Sequence, residues 1–343
     1  MAAYATERRI AELAVQRACL LTDKVYHSRV KGTVTKGDKS PVTIADFGAQ
    51  ALVIGAVHTV FPADSIVGEE DAEVLRSEAD KRESVWSLVQ SAVDDSAVLT
   101  ADIGAVTDAE EMMALIDLGN HAGGSVGRIW ALDPIDGTKG FLRGDQYAVC
   151  LALIVDGSVQ VGALGCPNLP VDPAQPEGEK GILLSAVRGQ GATIRPLSNP
   201  SATPTPIHMR AISALSAASF CEGVEAGHSS HGQQAAIAEA LGITNKSVQM
   251  DSQAKYATIA RGVADIYLRL PTSATYQEKI WDHAAGSLIV EEAGGTVSDA
   301  HGNALNFGVG RTLRENKGVV AATRNIHAEV IAAVKAELAK AQL

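Results

Sequence analysis

The sequence has few cysteines, few aromatic residues and fewer basic than acidic side chains. The four cysteines are scattered, without a Cys-x-x-Cys pair, which argues against a disulfide framework and favours reduced thiols in a cytoplasmic protein. Lys and Arg number 29 against 40 Asp and Glu, a formal net charge of −11. This balance argues against a nucleic-acid polymer or an anionic membrane as partner. A small anionic substrate stays compatible, because a bound metal ion can invert the local field.

No uninterrupted apolar run is long enough to cross a membrane. The N-terminal segment 1–21 has charges spaced through it, so it is predicted to be an amphipathic helix rather than a signal peptide. Apolar residues make up 46% and charged residues 20% of the 343 positions, which is typical of a globular protein. The length allows two domains or one large α/β unit.

The first half of the chain is predicted to be an α+β unit. Apolar periodicity predicts helices over 5–27 and 45–60, and the acidic stretch 71–127 is predicted to be mostly helical. A polar stretch, 31–40, is predicted to be a mobile loop. Because most of the predicted strands are neighbours in sequence, we expect an antiparallel sheet. These strands cover 65–67, 129–132, 147–155, 158–164, 182–187 and 192–195.

A stretch with four prolines, 196–206, is the predicted domain boundary. Beyond it strands and helices alternate, which predicts a layered α/β unit. We therefore predict an N-terminal α+β metal-binding domain over 1–200 and a C-terminal α/β substrate-binding domain over 201–343. The alternating elements are strands near 219 and 248 and over 265–270 and 296–299, and helices over 233–241, 253–261, 283–293 and 326–338.

Segment 130–140, WALDPIDGTKG, carries the strongest chemical signal. It places Asp133 and Asp136 three residues apart on a predicted short turn directly after an apolar strand, with Pro134 between them. Carboxylates at the end of a strand can converge on hard cations, which prefer oxygen ligands. Asp-Pro and Asp-Gly are also ordinary turn pairs, so this segment alone does not decide between a metal site and a turn.

Further acidic side chains lie at the ends of other predicted elements. Asp46 lies in the first turn of a helix, Glu69 and Glu70 follow a short strand, and Asp282 opens a helix. Singly, the aspartates fit a favourable charge at a helix N-terminus, and the glutamates fit a solvated pair. Together with Asp133, they match the ligands that two Mg²⁺ ions about 4 Å apart need for phosphoryl transfer.

Three motifs resemble the inositol monophosphatase superfamily of metal-dependent, lithium-sensitive phosphatases: GEE at 68–70, DPIDGT at 133–138 and WDHAAG at 281–286. Longer stretches are similar to the fungal and plant 3′(2′),5′-bisphosphate nucleotidases of that superfamily. The resemblance implies a layered αβαβα sandwich and spans most of the chain, although no motif matches at 71–120 or 170–210. The longer stretches are 40–43 (SPVT), 130–157, 165–169 (GCPNL), 222–231 (EGVEAGHSSH), 251–256 (DSQAKY), 276–286 (YQEKIWDHAAG) and 307–313 (FGVGRTL).

By position, the resemblance implies a site for two or three Mg²⁺ ions. Glu69, Asp133 and the main-chain carbonyl of Ile135 would hold one ion. Asp133, Asp136 and Asp282 would hold a second, and Glu70 is the candidate ligand of a third, more weakly bound ion. Thr138, oriented by Asp46, would position and deprotonate the attacking water. The implied substrate-binding residues are Asp136, Gly137, Thr138, His228, Ser252, Lys255, Arg269 and Asp282.

The function that the resemblance implies is Mg²⁺-dependent removal of the 3′-phosphate of adenosine 3′,5′-bisphosphate (PAP), which gives AMP and phosphate by in-line attack of water. The related sulfated nucleotide, 3′-phosphoadenosine 5′-phosphosulfate (PAPS), is a second candidate substrate. Sulfate assimilation is the implied setting, Li⁺ the implied inhibitor and Na⁺ a second candidate inhibitor. A monomer is expected. Aromatic residues make up only 4% of the chain, so the sequence offers no obvious stacking partner for adenine.

Three alternatives remain open. An inositol phosphatase would keep the fold and change the substrate, although segments 222–231 and 251–256 argue against it as the main activity. An aspartyl-phosphate phosphatase does not fit, because Asp133 and Asp136 are three positions apart rather than two. A non-catalytic nucleotide sensor would bind PAP without releasing phosphate.

Overall fold

The structure is a computed structural model that describes residues 3–28, 33–35, 41–224, 231–271, 273 and 275–340. The helices are α1 (Ala5–Ser28), α2 (Ile44–Val60), α3 (Glu73–Ser77), α4 (Ala79–Asp95), α5 (Ala97–Ile103), α6 (Ala109–Leu118), α7 (Thr138–Arg143), α8 (His231–Ala240), α9 (Ala254–Ala260), α10 (Ala284–Glu292) and α11 (His327–Lys340). The strands are β1 (Thr33–Thr35), β2 (Pro41–Thr43), β3 (Ser65–Gly68), β4 (Arg128–Asp136), β5 (Ala148–Val155), β6 (Ser158–Pro170), β7 (Lys180–Val187), β8 (Ala192–Pro196), β9 (Thr205–Ile207), β10 (Phe220–Glu222), β11 (Val248–Gln249), β12 (Ile266–Arg269), β13 (Gly295–Ser298) and β14 (Val319–Thr323).

Two large sheets organise the chain. The first has seven strands in the order β3-β4-β5-β6-β7-β8-β9, and every neighbouring pair is antiparallel except the parallel pair β3 and β4. The second has five strands in the order β11-β10-β12-β14-β13, with β10 parallel to both β11 and β12. The remaining pairs of the second sheet are antiparallel. The predicted antiparallel sheet of the first half and the mixed α/β second half are confirmed.

Alternate residues of the seven-stranded sheet point to opposite faces, and both faces are covered. Trp130 and Leu151 belong to a core shared with α1 and α2. Ala131 and Cys150 belong to a second core, shared with α9 and α10. Strand β4 reads as a nearly continuous apolar run because helices cover it on both sides.

The five-stranded sheet is likewise covered on both faces. Tyr267 and Ala321 lie in the same core as α9 and α10. Phe220 and Leu268 point the other way, into a third core with α8 and α11. The layers therefore run helix, sheet, helix, sheet, helix, which confirms the predicted αβαβα sandwich. No helix of the described residues is long and apolar enough to span a membrane.

Local predictions differ from the structure at several points. Strand β4 does not end at 132 but continues through Asp136, with a register shift after Asp133. The predicted loop 31–40 contains β1, which pairs with β2; positions 31–32 and 36–40 lie outside the described residues. Strands β9 and β14 were not predicted from the sequence. Strand β9 joins the first sheet from beyond position 200, and the division into 1–200 and 201–343 stays a prediction.

Helix α10 lies so close to α9 that one of its positions must be glycine. A Cβ at Gly286 would lie 2.3 Å from Cδ2 of Tyr256, whose side chain is 1% exposed and has no room to move. Gly286→Ala is therefore expected to lower the free energy of unfolding by about 1–3 kcal/mol. Urea denaturation midpoints would measure the change.

Gly232 in α8 provides the matched control, because a Cβ there meets nothing within 4 Å. Gly232→Ala is expected to raise the free energy of unfolding by about 0.5–1 kcal/mol, the ordinary helix preference for Ala. An unchanged midpoint in Gly286→Ala would contradict the close packing of α10.

Candidate active site

The predicted acidic side chains come together where β3 and β4 end. These strands are parallel and pair Gly68 with Leu132, so the residues that follow, Glu69 and Asp133, lie at the same edge of the sheet. Asp46 is buried in the first turn of α2, and Asp282 lies two residues before α10. Three separate layers of the fold therefore contribute to one carboxylate cluster.

Burial, and after it repulsion between like charges, raises the pKa values of this cluster. Asp133 is 2% exposed, and its pKa lies well above the ordinary value because of burial first and then the charges of Glu69, Asp136 and Asp282. Burial raises the pKa of Asp136 to about 6, against the opposing charge of Lys255. The pKa of Asp282 is also well raised, by burial and then by the charge of Asp136.

The arrangement fits a bound cation. Among the described residues, Asp133 Oδ1 is buried without a hydrogen-bond partner. A buried oxygen of this kind costs free energy unless something else satisfies it. A divalent ion would satisfy it and would remove the repulsion that raises the neighbouring pKa values.

The turn after β3 is fixed by a buried amide. Gln50 of α2 donates from Nε2 to the carbonyl of Glu70 at 2.7 Å, and its Oε1 accepts from the amide of Glu70 at 3.0 Å. Both side chains are buried. This pair of hydrogen bonds holds the main chain of the Gly-Glu-Glu motif against α2. The roles of Glu69 and Glu70 as metal ligands stay predictions.

Thr138 begins α7, and a single residue separates it from the end of β4. Its Oγ1 donates to the carbonyl of Ile135 at 3.3 Å, and a carbonyl oxygen has a second lone pair for a further partner. Gly137 precedes it with a φ of 90°, and a Cβ there would lie 2.8 Å from Cβ of Ser252. Only glycine fits this position, which brings Ser252 against the start of α7. The orientation of Thr138 by Asp46 stays a prediction.

Gln253 connects the two aspartate-bearing segments. Its main-chain amide donates to Asp136 Oδ2 at 2.6 Å. Its buried side chain donates from Nε2 to the carbonyl of Trp281 at 2.8 Å and accepts from the amide of Gly286 at 2.9 Å. Asp136 and the segment that carries Asp282 are thus fixed to the same residue.

A cleft with a cavity volume of about 200 Å³ opens beside the carboxylates. Lys255, Arg269 and Ser252 line it, and their role in substrate binding stays a prediction. Lys255 is buried, and burial lowers its pKa, against the opposing charge of Asp136. His228 lies outside the described residues. Acidic, hydroxyl, amide and aromatic side chains also line the cleft: Glu69, Glu70, Asp136, Thr138, Gln253, Tyr256, Tyr267, Tyr276 and Asp282.

Arg269 is held by a buried chain of polar side chains. Its Nε lies 2.7 Å from Oε2 of Glu278, an ion pair without the alignment of a hydrogen bond. The same oxygen lies 3.2 Å from Nε2 of His283, whose Nδ1 lies 2.8 Å from the hydroxyl of Tyr256. Because Glu278 can only accept when ionised, Nε2 of His283 carries the proton and Nδ1 accepts from Tyr256.

Glu278, Asp282 and His283 bring possible metal-binding atoms within 4.8 Å of one another. Both ring nitrogens of His283 already have hydrogen-bond partners, and Glu278 is paired with Arg269. Glu278 and His283 therefore support Arg269 and do not form a further metal site with Asp282.

Sequence reasoning missed several residues that shape the site. Glu278, His283, Gln253 and Arg311 lie inside motifs that carried the resemblance, but their partners are distant in sequence or are main-chain atoms. Tyr276, which is 44% exposed, lines the cleft and gives it an aromatic surface that the low aromatic content did not suggest.

Residues 4–339 match the inositol monophosphatase family. The chain belongs to this family. Two solved structures show its fold: the Thermotoga maritima IMPase, at 21% identity and a TM-score of 0.61 over 95% of this chain and 96% of that one, and an Anabaena inositol monophosphatase, at 20% identity and a TM-score of 0.59 over 98% and 97%. The family is one of phosphatases, so the prediction of an enzyme is confirmed at that level.

Curated relatives give a finer comparison. A 3′(2′),5′-bisphosphate nucleotidase of Emericella nidulans is 57% identical over 97% of this chain and 98% of its own length. Proteins of the same name from Schizosaccharomyces pombe and Oryza sativa are 54% and 41% identical, over 98% and 97% of this chain and 97% and 94% of their own lengths. The resemblance of this family member to the bisphosphate nucleotidases is therefore confirmed.

The stability that Glu278 contributes is predicted to depend on pH. Burial would raise its pKa, but the hydrogen bond from His283 and the charge of Arg269 lower it to about 2 from an ordinary 4.5. The ionised carboxylate therefore stabilises the fold by about 3 kcal/mol above pH 4.5, and this stabilisation is lost as the pH falls through 2. Glu278→Gln should lower the free energy of unfolding at about pH 7, with a deficit that shrinks below about pH 4.

Urea denaturation of both proteins without divalent ions, at about pH 7, 5, 4 and 3, would measure this deficit. Glu239→Gln, on the exposed face of α8, is the control and should leave the midpoint unchanged at each pH. A deficit in Glu278→Gln that stays constant across this range would show that the carboxylate charge is not what stabilises the fold.

Proposed function

We propose that this chain is a Mg²⁺-dependent 3′(2′),5′-bisphosphate nucleotidase that removes the 3′-phosphate of PAP and releases AMP and phosphate. Identities of 41–57% to the curated nucleotidases over nearly the full chain support the substrate class. The observation that carries the chemistry is the buried, unpartnered oxygen of Asp133 in a cluster of mutually repelling carboxylates. PAPS is a second candidate substrate, and removal of PAP would serve sulfate assimilation in the cytoplasm.

The acidic residues at the cleft suit Mg²⁺, which binds a few carboxylates together with substrate phosphate oxygens. Bound Mg²⁺ would lower the pKa of a water molecule and neutralise charge on the phosphate. The proposed ligands are Glu69, Asp133, Asp136, Asp282 and the carbonyl of Ile135, with Glu70 for a third ion.

Thr138 is the proposed residue that positions and deprotonates the attacking water. A threonine hydroxyl is a poor base alone, so the role depends on what its hydrogen bonds do. Its own proton points to the carbonyl of Ile135, which leaves the hydroxyl oxygen free to accept from water. For Thr138 to take a proton from water, its hydroxyl would turn from this carbonyl to Asp46, buried at the start of α2, and Asp46 would accept the proton that Thr138 gives up.

The second phosphate explains why a bisphosphate would be preferred. While the 3′-phosphate lies at the carboxylates, Lys255 and Arg269 would hold the 5′-phosphate, Lys as a point charge and Arg through two parallel N–H groups. Ser252 and His228 are proposed to add hydrogen bonds. Tyr276 offers the base an exposed ring at the same cleft.

Phosphate release from PAP tests the proposal. Activity should require Mg²⁺ and fall when Li⁺ is added, and kcat/KM for PAP should exceed that for inositol 1-phosphate. Asp133→Asn should reduce kcat by at least about 1,000-fold while the protein stays folded, because one carboxylate that serves two ions is lost.

Asp172→Asn, on the exposed turn between β6 and β7, is the matched control and should keep wild-type activity. Substantial Mg²⁺-dependent activity in Asp133→Asn would show that segment 133–138 has a structural role only. A higher kcat/KM for inositol 1-phosphate would favour an inositol phosphatase. Binding of PAP without phosphate release would favour the nucleotide sensor.

The role of Arg269 is tested by comparing two substrates. PAP carries a 5′-phosphate and 3′-AMP does not, so the ratio of their kcat/KM values reports on how the 5′-phosphate is held, whatever fraction of the protein is folded. Arg269→Gln should lower this ratio by about 10- to 100-fold, which corresponds to the free energy of the charge-assisted hydrogen bonds that are lost. Arg188→Gln, at an exposed ion pair with Glu291, should leave the ratio unchanged. An unchanged ratio in Arg269→Gln would contradict the assignment.

A further inference from the structure

Arg311, in the motif FGVGRTL, binds the main chain beside the first metal-ligand segment. Its Nη2 donates to the carbonyl of Gly68 at 2.5 Å, and its Nη1 donates to the carbonyls of Gly119 and His121 at 3.0 Å each. Gly68 is the last residue of β3, and the next residue is Glu69. Three main-chain acceptors therefore fix the guanidinium group at the edge of the seven-stranded sheet.

One face of the same guanidinium group packs against the segment that carries the second proposed ligand, Asp282. Its Cζ lies 4.8 Å from the ring centroid of Trp281, the residue directly before Asp282. The main chain reinforces this contact, because Ile280 donates to the carbonyl of Arg311 at 3.2 Å and Leu313 donates to that of Glu278 at 2.8 Å. The segment that carries Arg311 is thus bound to the segment that carries Asp282 through both main chain and side chain.

We propose that Arg311 is a positioning residue that fixes the spacing between Glu69 and Asp282, and that this spacing sets the affinity of the site for Mg²⁺. The inference rests on the proposed function, in which both carboxylates bind metal. Glu69 follows a strand of the first sheet and Asp282 precedes α10, so no shared element fixes the distance between them. Carboxylates that repel each other separate unless the segments that carry them are held.

The chemistry of the contacts requires arginine. A guanidinium group is planar, so it can donate to several carbonyls in its plane while an indole ring packs on its face. Lysine has one compact ammonium group and cannot make both kinds of contact at once. Arg311 makes its hydrogen bonds to carbonyls, so it fixes the main chain beside Glu69 without a hydrogen bond to a carboxylate.

Mg²⁺ binding by the substrate-free protein tests the inference, measured by isothermal titration calorimetry. Arg311→Met should weaken Mg²⁺ binding by about 10- to 100-fold, the usual effect of removing a group that orients metal ligands. The Mg²⁺ concentration for half-maximal phosphate release should rise by a similar factor, with kcat largely recovered at saturating Mg²⁺. Arg311→Lys keeps the charge and should lie between wild type and Arg311→Met; it also replaces Arg311→Met if that variant does not fold.

Arg128 is the matched control. It too lies over an aromatic ring, 5.3 Å from the centroid of Phe61, and it pairs with Asp64 at 2.8 Å and with Glu7 at 3.1 Å. Arg128→Met should lower the thermal unfolding temperature but leave the Mg²⁺ affinity at the wild-type value.

Wild-type Mg²⁺ affinity in Arg311→Met, or an equal loss in Arg128→Met, would overturn the inference and leave the proposed function intact. Wild-type protein that binds no Mg²⁺ would instead overturn the proposed function, and the inference with it.

Discussion

Repulsion among buried carboxylates is the constraint on which the rest of the site depends. Asp133, Asp136 and Asp282 each have a raised pKa, and burial is the largest cause in every case. Folding alone does not favour such a cluster, because each ionised group loses hydration and gains like-charged neighbours. The surrounding structure must therefore hold the acids in place until a cation compensates them, which is how a binding site differs from an ordinary core.

Among the described residues, neutral donors hold Asp136 and the main chain of Glu70, while the guanidinium groups of Arg311 and Arg269 are paired with other acceptors. The amide of Gln253 donates to Asp136, and the side chain of Gln50 fixes the main chain of Glu70. Arg311 donates to carbonyls, and Arg269 pairs with Glu278 through its Nε. A cation paired directly with the cluster would satisfy the carboxylates and compete with metal. Pairing the guanidinium groups with other acceptors preserves both the site's affinity for divalent ions and its attraction for a phosphate.

Most of the fold could be predicted from the sequence, because long elements such as α1, α2 and β5 have clear apolar patterns. The acidic residues could also be predicted, because Glu69, Asp133 and Asp282 follow recognisable strand ends or open helices. The residues that hold these acids in place could not be predicted. Arg311 binds carbonyls at positions 68, 119 and 121, and a carbonyl carries no sequence signal. Short strands such as β9 and β14 depend on their neighbours, and pattern alone does not specify them.

The spacing of three residues between Asp133 and Asp136 coincides with a bulge in β4. In a regular strand, residues three apart point to opposite faces of the sheet. Here Asp133 pairs with Cys150 and Asp136 with Ala148, so three steps along β4 match two along β5. This one-residue bulge returns both aspartates to one face, since Cys150 and Ala148 belong to the same core beneath α9 and α10. Asp-Pro-Ile-Asp is therefore neither a plain strand nor a plain turn. Its extra residue directs two acids toward Asp282, and without it the sheet would separate them.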